Sequence, residues 1–229
     1  MTSGYKKNAA RTKTLFRIYR KLYARFGPQG WWPADGAFEV MVGAILTQNT
    51  AWSNVEKAIA NLKGENAMRP ARMAGMPHRK LAALIKPSGF FNVKAARLRN
   101  FLRFYMKRFD GDIRALKRVP LDGLRKELLS VNGIGKETAD SILLYAAGKP
   151  SFVVDAYTKR VFSRHGFVPE EAGYDALRDV FMKNLPARTG LFKEYHALLV
   201  ALCKRHCLSR KPVCRGCPLS GIKGHSFRG

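Results

Sequence analysis

Acidic residues are scarce in this chain. Against 42 Lys and Arg stand only 16 Asp and Glu, so 229 residues carry a formal net charge of +26. Such an imbalance argues against a cationic or neutral partner and for a polyanion, most simply nucleic acid. Long apolar runs are missing too. None approaches the roughly 20 residues that cross a bilayer. The basic residues are spread along the sequence, so they do not build one amphipathic membrane helix. The opening MTSGYKKNAARTKTLF has no apolar core and does not read as a secretory signal. No membrane partner is therefore expected. The expectation is a cytoplasmic, nucleoid-associated monomer whose partner is double-stranded DNA. Cysteine is absent before position 203. In a reducing compartment, cysteines crowded near one end are metal ligands rather than disulfides. Strand-like alternation and internal repeats are also lacking, which leaves an all-α fold.

What is present is helical periodicity. Residues 1–12 are polar and basic and read as a loose tail. Leu15, Ile18, Tyr19, Leu22 and Phe26 then mark a first helix, stopped by Gly27-Pro28. A turn-rich segment from Gly30 to Gly36 carries Trp31-Trp32-Pro33. Phe38 to Leu46 is apolar nearly all round, as expected of a central buried helix. Val55–Leu62 is another helix. Short helices between Met68 and Ile85 are broken by Pro70, Gly75 and Pro77. Leu98, Phe101, Leu102, Tyr105 and Phe109 define a long amphipathic helix. Further helices are expected near 156–165, 174–184 and 190–203, and the last 25 residues are irregular.

The most informative stretch runs from Leu128 to Tyr157. Leucines at 121, 124, 128 and 129, and Ala139, Ile142, Leu143 and Ala146, give two helices. Between them lies Val131-Asn132-Gly133-Ile134-Gly135-Lys136. Two glycines two apart permit a sharp turn and close approach to another molecule. The N–H groups opening the second helix suit phosphate, and Ile134 is the plug that fixes the turn. A P-loop would need Ser or Thr after Gly-Lys, where Glu137 stands. A dinucleotide fingerprint would need a third glycine and a preceding strand. A short apolar run then ends in one carboxylate, Asp155.

Leu128, Val131, Gly133, Ile134, Gly135, Thr138, Ala139, Val154 and Asp155, in this order and spacing, resemble the helix-hairpin-helix, Gly/Pro-rich loop and Asp of the endonuclease III superfamily of DNA glycosylases. The resemblance spans roughly residues 14–220 and implies a bilobal all-α fold with DNA bound in the cleft between the lobes. A six-helix barrel lobe with the hairpin would occupy 31–150. The other lobe would join residues 1–30 to 151–229 and carry a C-terminal cysteine cluster. Gly133, Ile134, Gly135 and Lys136 would bind the DNA backbone.

By the same resemblance Asp155 occupies the catalytic aspartate position. Breaking an N-glycosidic bond builds positive charge on the sugar, which a fixed carboxylate stabilises while it orients or deprotonates water. Asp155 also precedes a helix beginning at Ala156, where Asp is a favoured N-cap; both roles are compatible. Relatives that also cut the backbone carry a lysine before the Thr-Ala pair, and its amine forms a Schiff base. Here that position is Glu137. Lys136 is adjacent but points elsewhere, since neighbouring helix positions lie about 100° apart. The resemblance thus implies a monofunctional glycosylase without AP lyase activity. Glu137 reads equally as an exposed first-turn residue.

Trp31-Trp32-Pro33, GAILTQNT and KPSGFFNVKAARL are similar to the branch that removes alkylated purines of the 3-methyladenine type. Trp31, Trp32 and Phe38 are the candidate base pocket, because electron-rich rings favour a cationic base; core packing is the competing role. A base must leave the stack to react. Gln48 and Asn49, at the end of the buried helix, are candidates for the side chain that fills the hole. Either could instead be a core or capping amide.

Cys203, Cys207, Cys214 and Cys217 have x3, x6 and x2 spacing. The last two spacings match the family's [4Fe–4S] cluster. The family's fourth cysteine falls where Lys223 stands, and Cys203, one helical turn before Cys207, is the substitute. Zinc, with all four thiolates or with His206, is the alternative. Arg210 and Lys211, between the cysteines, are expected phosphate contacts. The function this implies is base excision repair. Alternatives within the fold are a mismatch thymine or uracil glycosylase and a bifunctional glycosylase/lyase. Outside it stands a DNA-binding protein with no catalysis.

Overall fold

The computed structural model describes residues 2–224, and no strand occurs among them. The helices run α1 (Thr2–Phe26), α2 (Ala37–Leu46), α3 (Trp52–Gly64), α4 (Pro70–Ala74), α5 (His78–Leu84), α6 (Phe91–Phe109), α7 (Ile113–Arg118), α8 (Leu121–Leu129), α9 (Lys136–Ser141), α10 (Ala156–Arg164), α11 (Tyr174–Met182) and α12 (Thr189–Arg205). A 3-10 turn at Lys86–Ser88 precedes α6, and α9 continues into a π-helical turn, Ile142–Ala146. The all-α expectation holds. No helix of the described residues is long and apolar enough to cross a membrane.

The chain divides into a terminal unit, Met1–Trp31 with Pro150–Gly229, and a central unit, Trp32–Lys149. In the central unit α2 is buried from Glu39 to Leu46. It packs on α3, α6, α9 and the π turn. Its all-round apolar sequence has that consequence: a helix apolar on every face needs neighbours on every face. α6 buries Leu98, Phe101, Leu102, Tyr105 and Phe109, the stripe its periodicity marks. Pro70 opens α4 rather than breaking a helix, because its missing N–H costs nothing in a first turn. The π turn was not foreseen. Ala147 N–H reaches Ile142 O at 2.9 Å and Lys149 N–H reaches Leu143 O at 2.8 Å, so the last turn widens.

In the terminal unit α1 and α10 pack on α12. Leu15, Ile18 and Leu22 are fully buried, and Tyr195 donates its hydroxyl to Leu15 O at 3.0 Å. Phe152 stacks on Phe181 with centroids 3.6 Å apart. The expected loose tail at 1–12 is corrected: the helix begins at Thr2. Ala9, Ala10 and Arg11 are strong helix formers. Thr12 Oγ1 also donates to Asn184 O at 2.9 Å, anchoring the helix across the chain.

Candidate active site

Asp155 closes the extended run 150–155 and begins α10. Its Oδ1 accepts from Thr158 N–H at 2.7 Å, so it is an N-cap. The cap does not consume the carboxylate. Oδ2 faces His196 Nε2 at 3.3 Å, and the side chain retains 13% exposure. Burial pushes this carboxyl up. His196 first, and then the backbone N–H of Thr158, outweigh burial and hold it below the ordinary 3.8. Asp155 is therefore an ionised carboxylate in a largely dry setting, where its field on a nearby positive charge is strong.

His196 was missed by the sequence reading. It lies on α12, on a buried run from Tyr195 to Cys203. A histidine inside such a run needs a polar partner, and that is the signal that could have exposed it. Trp31 covers the other side of the imidazole, its ring centroid 5.5 Å away and tilted 42°. Trp31, His196 and Asp155 thus form one aromatic–imidazole–carboxylate line in the terminal unit.

Trp32 goes a different way. It meets Trp52 edge-on at 5.2 Å and Tyr145 at 5.2 Å, and the π turn is what carries Tyr145. The Trp32 ring lies over Gly43 of α2, where an added Cβ would touch it at 3.4 Å. Phe38, expected beside the tryptophans, is not brought to them. It stacks on Tyr105 at 6.3 Å and borders a depression with Asp35, Lys63 and Arg69. The reason is helical phase: Phe38 and Gly43 are five residues apart, about 140° around α2.

The two amides after α2 separate as well. Gln48 Nε2 donates to Thr138 Oγ1 at 2.9 Å and to Gly133 O at 3.2 Å, and its Oε1 accepts from Arg97. It is a tie, not a free side chain. Asn49 is exposed with φ 53°, a left-handed conformation that lifts it out of the loop. Lys94 holds this loop from behind. Its buried ammonium donates to Leu46 O at 2.8 Å and to Ser88 O at 2.6 Å. Burial first, and the charge of Arg97 second, pull its pKa down to about 8. One helical turn before Lys94 stands Phe90, 69% exposed at φ 44°. An exposed aromatic in a strained backbone is another feature that periodicity cannot reveal.

In the hairpin, Gly133 has φ 93° and Ile134 is buried. Gly135, Lys136 and Glu137 are exposed. Asp140, deeper in α9, is fully buried and receives Arg125 at 2.9 and 3.1 Å.

Among the cysteines, all free, Cys203 and Cys207 are buried, Cys217 is intermediate and Cys214 is exposed. The neighbouring Cys203 and Arg164 hold the Cys207 thiol down to about 5, while Cys207 and burial push the Cys203 thiol up; Cys203 Sγ donates to Tyr157 O at 3.6 Å. Arg164 reaches Cys207 Sγ at 3.4 Å, Leu208 O at 2.7 Å and Ser209 O at 2.6 Å. Arg160 reaches Cys207 O at 3.1 Å. Among the described residues no three His, Cys, Asp or Glu side chains are gathered as a ready metal site. The donor chemistry nevertheless fits a soft metal: four thiols on one short segment, with guanidinium groups that favour thiolate. Arg210 and Lys211 are exposed on the loop that α10 pins. His206 is turned to Val213 O at 3.3 Å.

Known proteins resemble this chain in sequence and in fold. Residues 42–187 match the family described as HhH-GPD superfamily base excision DNA repair protein. The chain is 50% identical over 207 residues to a protein of Methanocaldococcus jannaschii provisionally named a DNA repair glycosylase, covering 90% of this chain and 93% of that one. It is 32% identical over 204 residues to the endonuclease III of Thermotoga maritima, covering 87% of each. Among solved structures, the H. pylori 3-methyladenine DNA glycosylase bound to 1,N6-ethenoadenine superposes with TM-score 0.73 at 31% identity, covering 83% of this chain and 97% of that one.

Proposed function

The chain belongs to the HhH-GPD superfamily of base excision DNA repair proteins, and from that premise we propose that it is a monofunctional DNA glycosylase whose favoured substrate is an alkylated purine. The observation that carries the reading is Asp155: largely buried, held ionised, and with 13% of its side chain still exposed. As the bond between base and C1′ lengthens, positive charge grows on the sugar. Asp155 stabilises that charge and takes a proton from the attacking water, leaving a free base and an abasic sugar. His196 keeps the carboxylate ionised and fixed.

An alkylated purine is already cationic and leaves readily, so no strong general acid is required. Trp31 beside His196 and the Trp32–Tyr145 pair supply electron-rich surfaces that favour such a cation. Phe38 takes no part. Asn49 is the side chain that enters the base stack, with Phe90 as a second exposed wedge. Gly133, Ile134, Gly135 and Lys136 grip the phosphates of duplex DNA, with Arg210 and Lys211 as further backbone contacts. Glu137 has no amine and cannot form a Schiff base, so base removal would not be followed by strand cleavage. Its carboxylate adds to the preference for a cationic base.

Cys203, Cys207, Cys214 and Cys217 would hold a [4Fe–4S] cluster. When bound, it cross-links the loop that carries Arg210 and Lys211. Iron and acid-labile sulfide in purified protein support this; zinc in their place overturns it.

The function is tested with a panel of single-lesion duplexes: a stable 3-methyladenine analogue, ethenoadenine, uracil, a G·T mismatch and thymine glycol. Each is read with and without hot alkali. Cleavage of an alkylated-purine duplex only after alkali is the expected result. Preference for uracil or the mismatch moves the protein to the pyrimidine-mismatch class. Cleavage without alkali defeats the monofunctional assignment.

A further inference from the structure

Two parts of the central unit that are remote in sequence are joined by one polar knot. Gln48 gives its amide N–H groups to Gly133 O and Thr138 Oγ1, and its carbonyl takes Arg97. Both ends of the amide are engaged. Gly133 completes the joint. At φ 93° it presents bare backbone, and a methyl there would run into the Arg97 stem. The aliphatic part of Arg97 therefore lies on the hairpin while its guanidinium reaches the loop. Arg97 meets an amide oxygen there, not a carboxylate, so its position is not explained by charge neutralisation.

What the joint controls follows from the next residue. Asn49 takes a left-handed conformation, which asparagine accepts more readily than other side chains, and this turns it away from the line of Gln48. Lys94 fixes the start of the loop through Leu46 O. Gln48 is the only one of the two amides tied to the hairpin, and it adjoins Asn49 directly.

We propose that Arg97 is a positioning residue that couples the two halves of the DNA interface. Through Gln48 it locks the loop bearing Asn49 to the hairpin, so that phosphate grip and insertion into the stack occur as one event. The inference rests on the reading of hairpin and loop as DNA-contacting, but its test does not require base release.

Hydrogen–deuterium exchange on the full chain, with and without an undamaged duplex, follows segments 47–52 and 131–138. Arg97→Met keeps the stem over Gly133 and removes the guanidinium; Gln48→Leu cuts the joint from the other side. In the parent, DNA slows exchange in both segments. In either variant, protection of 131–138 should remain within about twofold, while exchange of 47–52 in the complex rises about tenfold. The double variant should be no worse than either single one, as expected of one shared interaction. Loop protection that survives in Arg97→Met overturns the proposal. So do equal losses in both segments, additive effects in the double variant, or a parent in which DNA protects neither segment. A parent with coupled protection that releases no base from any lesion would sink the glycosylase reading and leave the joint standing.

Discussion

Asp140 in the central unit and Asp155 in the terminal unit are both carboxylates largely shut from water, and each faces a nitrogen-bearing side chain. They are held in opposite ways. Asp140 has no exposure and receives Arg125 through two near-parallel bonds at 2.9 and 3.1 Å. Its lone pairs are spent on holding α8 to α9 behind the hairpin. Asp155 spends one oxygen on a backbone N–H and offers the other to an imidazole at 3.3 Å, with 13% of the side chain still open. A bidentate arginine fork makes a carboxylate a structural rivet. A cap and an imidazole fix the other carboxylate while leaving part of its field unsatisfied. Burial and charge are common to both; only the completeness of pairing separates them.

The sharpest way to break this contrast is to remove each charge in turn. Asp155→Asn should lower the single-turnover rate of base release by about 10³-fold, within the range for loss of a general base or electrostatic stabiliser. Duplex affinity should change little, and melting temperature should fall less than in Asp140→Asn, because asparagine still caps α10. Asp140→Asn should do the reverse. Stability should fall by about 3 kcal/mol, the lower end for breaking a buried pair, since Arg125 keeps 17% exposure. The folded fraction should still release base within a few-fold of the parent rate. Single-turnover kinetics beside thermal melts read both. If Asp140→Asn stops base release in folded protein, or Asp155→Asn leaves it intact, the division between rivet and reactive carboxylate is wrong.

That contrast also shows what a sequence can carry. The hairpin, the buried stripe of α6 and the cap at Asp155 are local: each is set by residues within a turn or two of one another, and each is legible from spacing. The pairing that distinguishes Asp155 from Asp140 is not local. His196 follows Asp155 by a long helical stretch, and nothing in the spacing of either residue refers to the other. The same holds for Gln48. Its place at the end of α2 was legible, but only the fold reveals that Gly133, Thr138 and Arg97 occupy it, leaving Asn49 to project. Trp31 and Trp32 look like one feature in the sequence. They separate because successive side chains on a non-helical stretch point to different sides, one meeting His196 and the other Tyr145. The π turn that carries Tyr145 has an ordinary helical pattern until its last residues, so its widened hydrogen bonds leave no periodic trace. Residues 1–12 erred in the other direction. Polar composition suggested a tail, whereas alanines and long basic side chains sustain a helix.

A smaller effect sharpens the comparison from the side of the partner. In the parent, Asp155 sits below its ordinary value because His196 and Thr158 outweigh burial. A carboxyl lowered on folding adds stability above its unfolded pKa and loses it as pH falls through the lower folded one. No activity limb from Asp155 is then expected between about pH 5 and 8. His196→Gln removes the imidazole and leaves Thr158 alone against burial, so Asp155 should move up. The acid limb of the single-turnover rate should move up with it, and base release should fall more at pH 5 than at pH 8, by about tenfold for a carboxyl displaced by roughly two pKa units or more. Stability changes sign in step. A raised carboxyl destabilises the folded state above its pKa, so the variant's melting deficit should be largest near pH 8 and shrink on acidification. A loss of rate that is uniform across pH would mean that His196 orients the site without tuning Asp155. The imidazole would then act on the carboxylate as Arg125 acts on Asp140, by position alone.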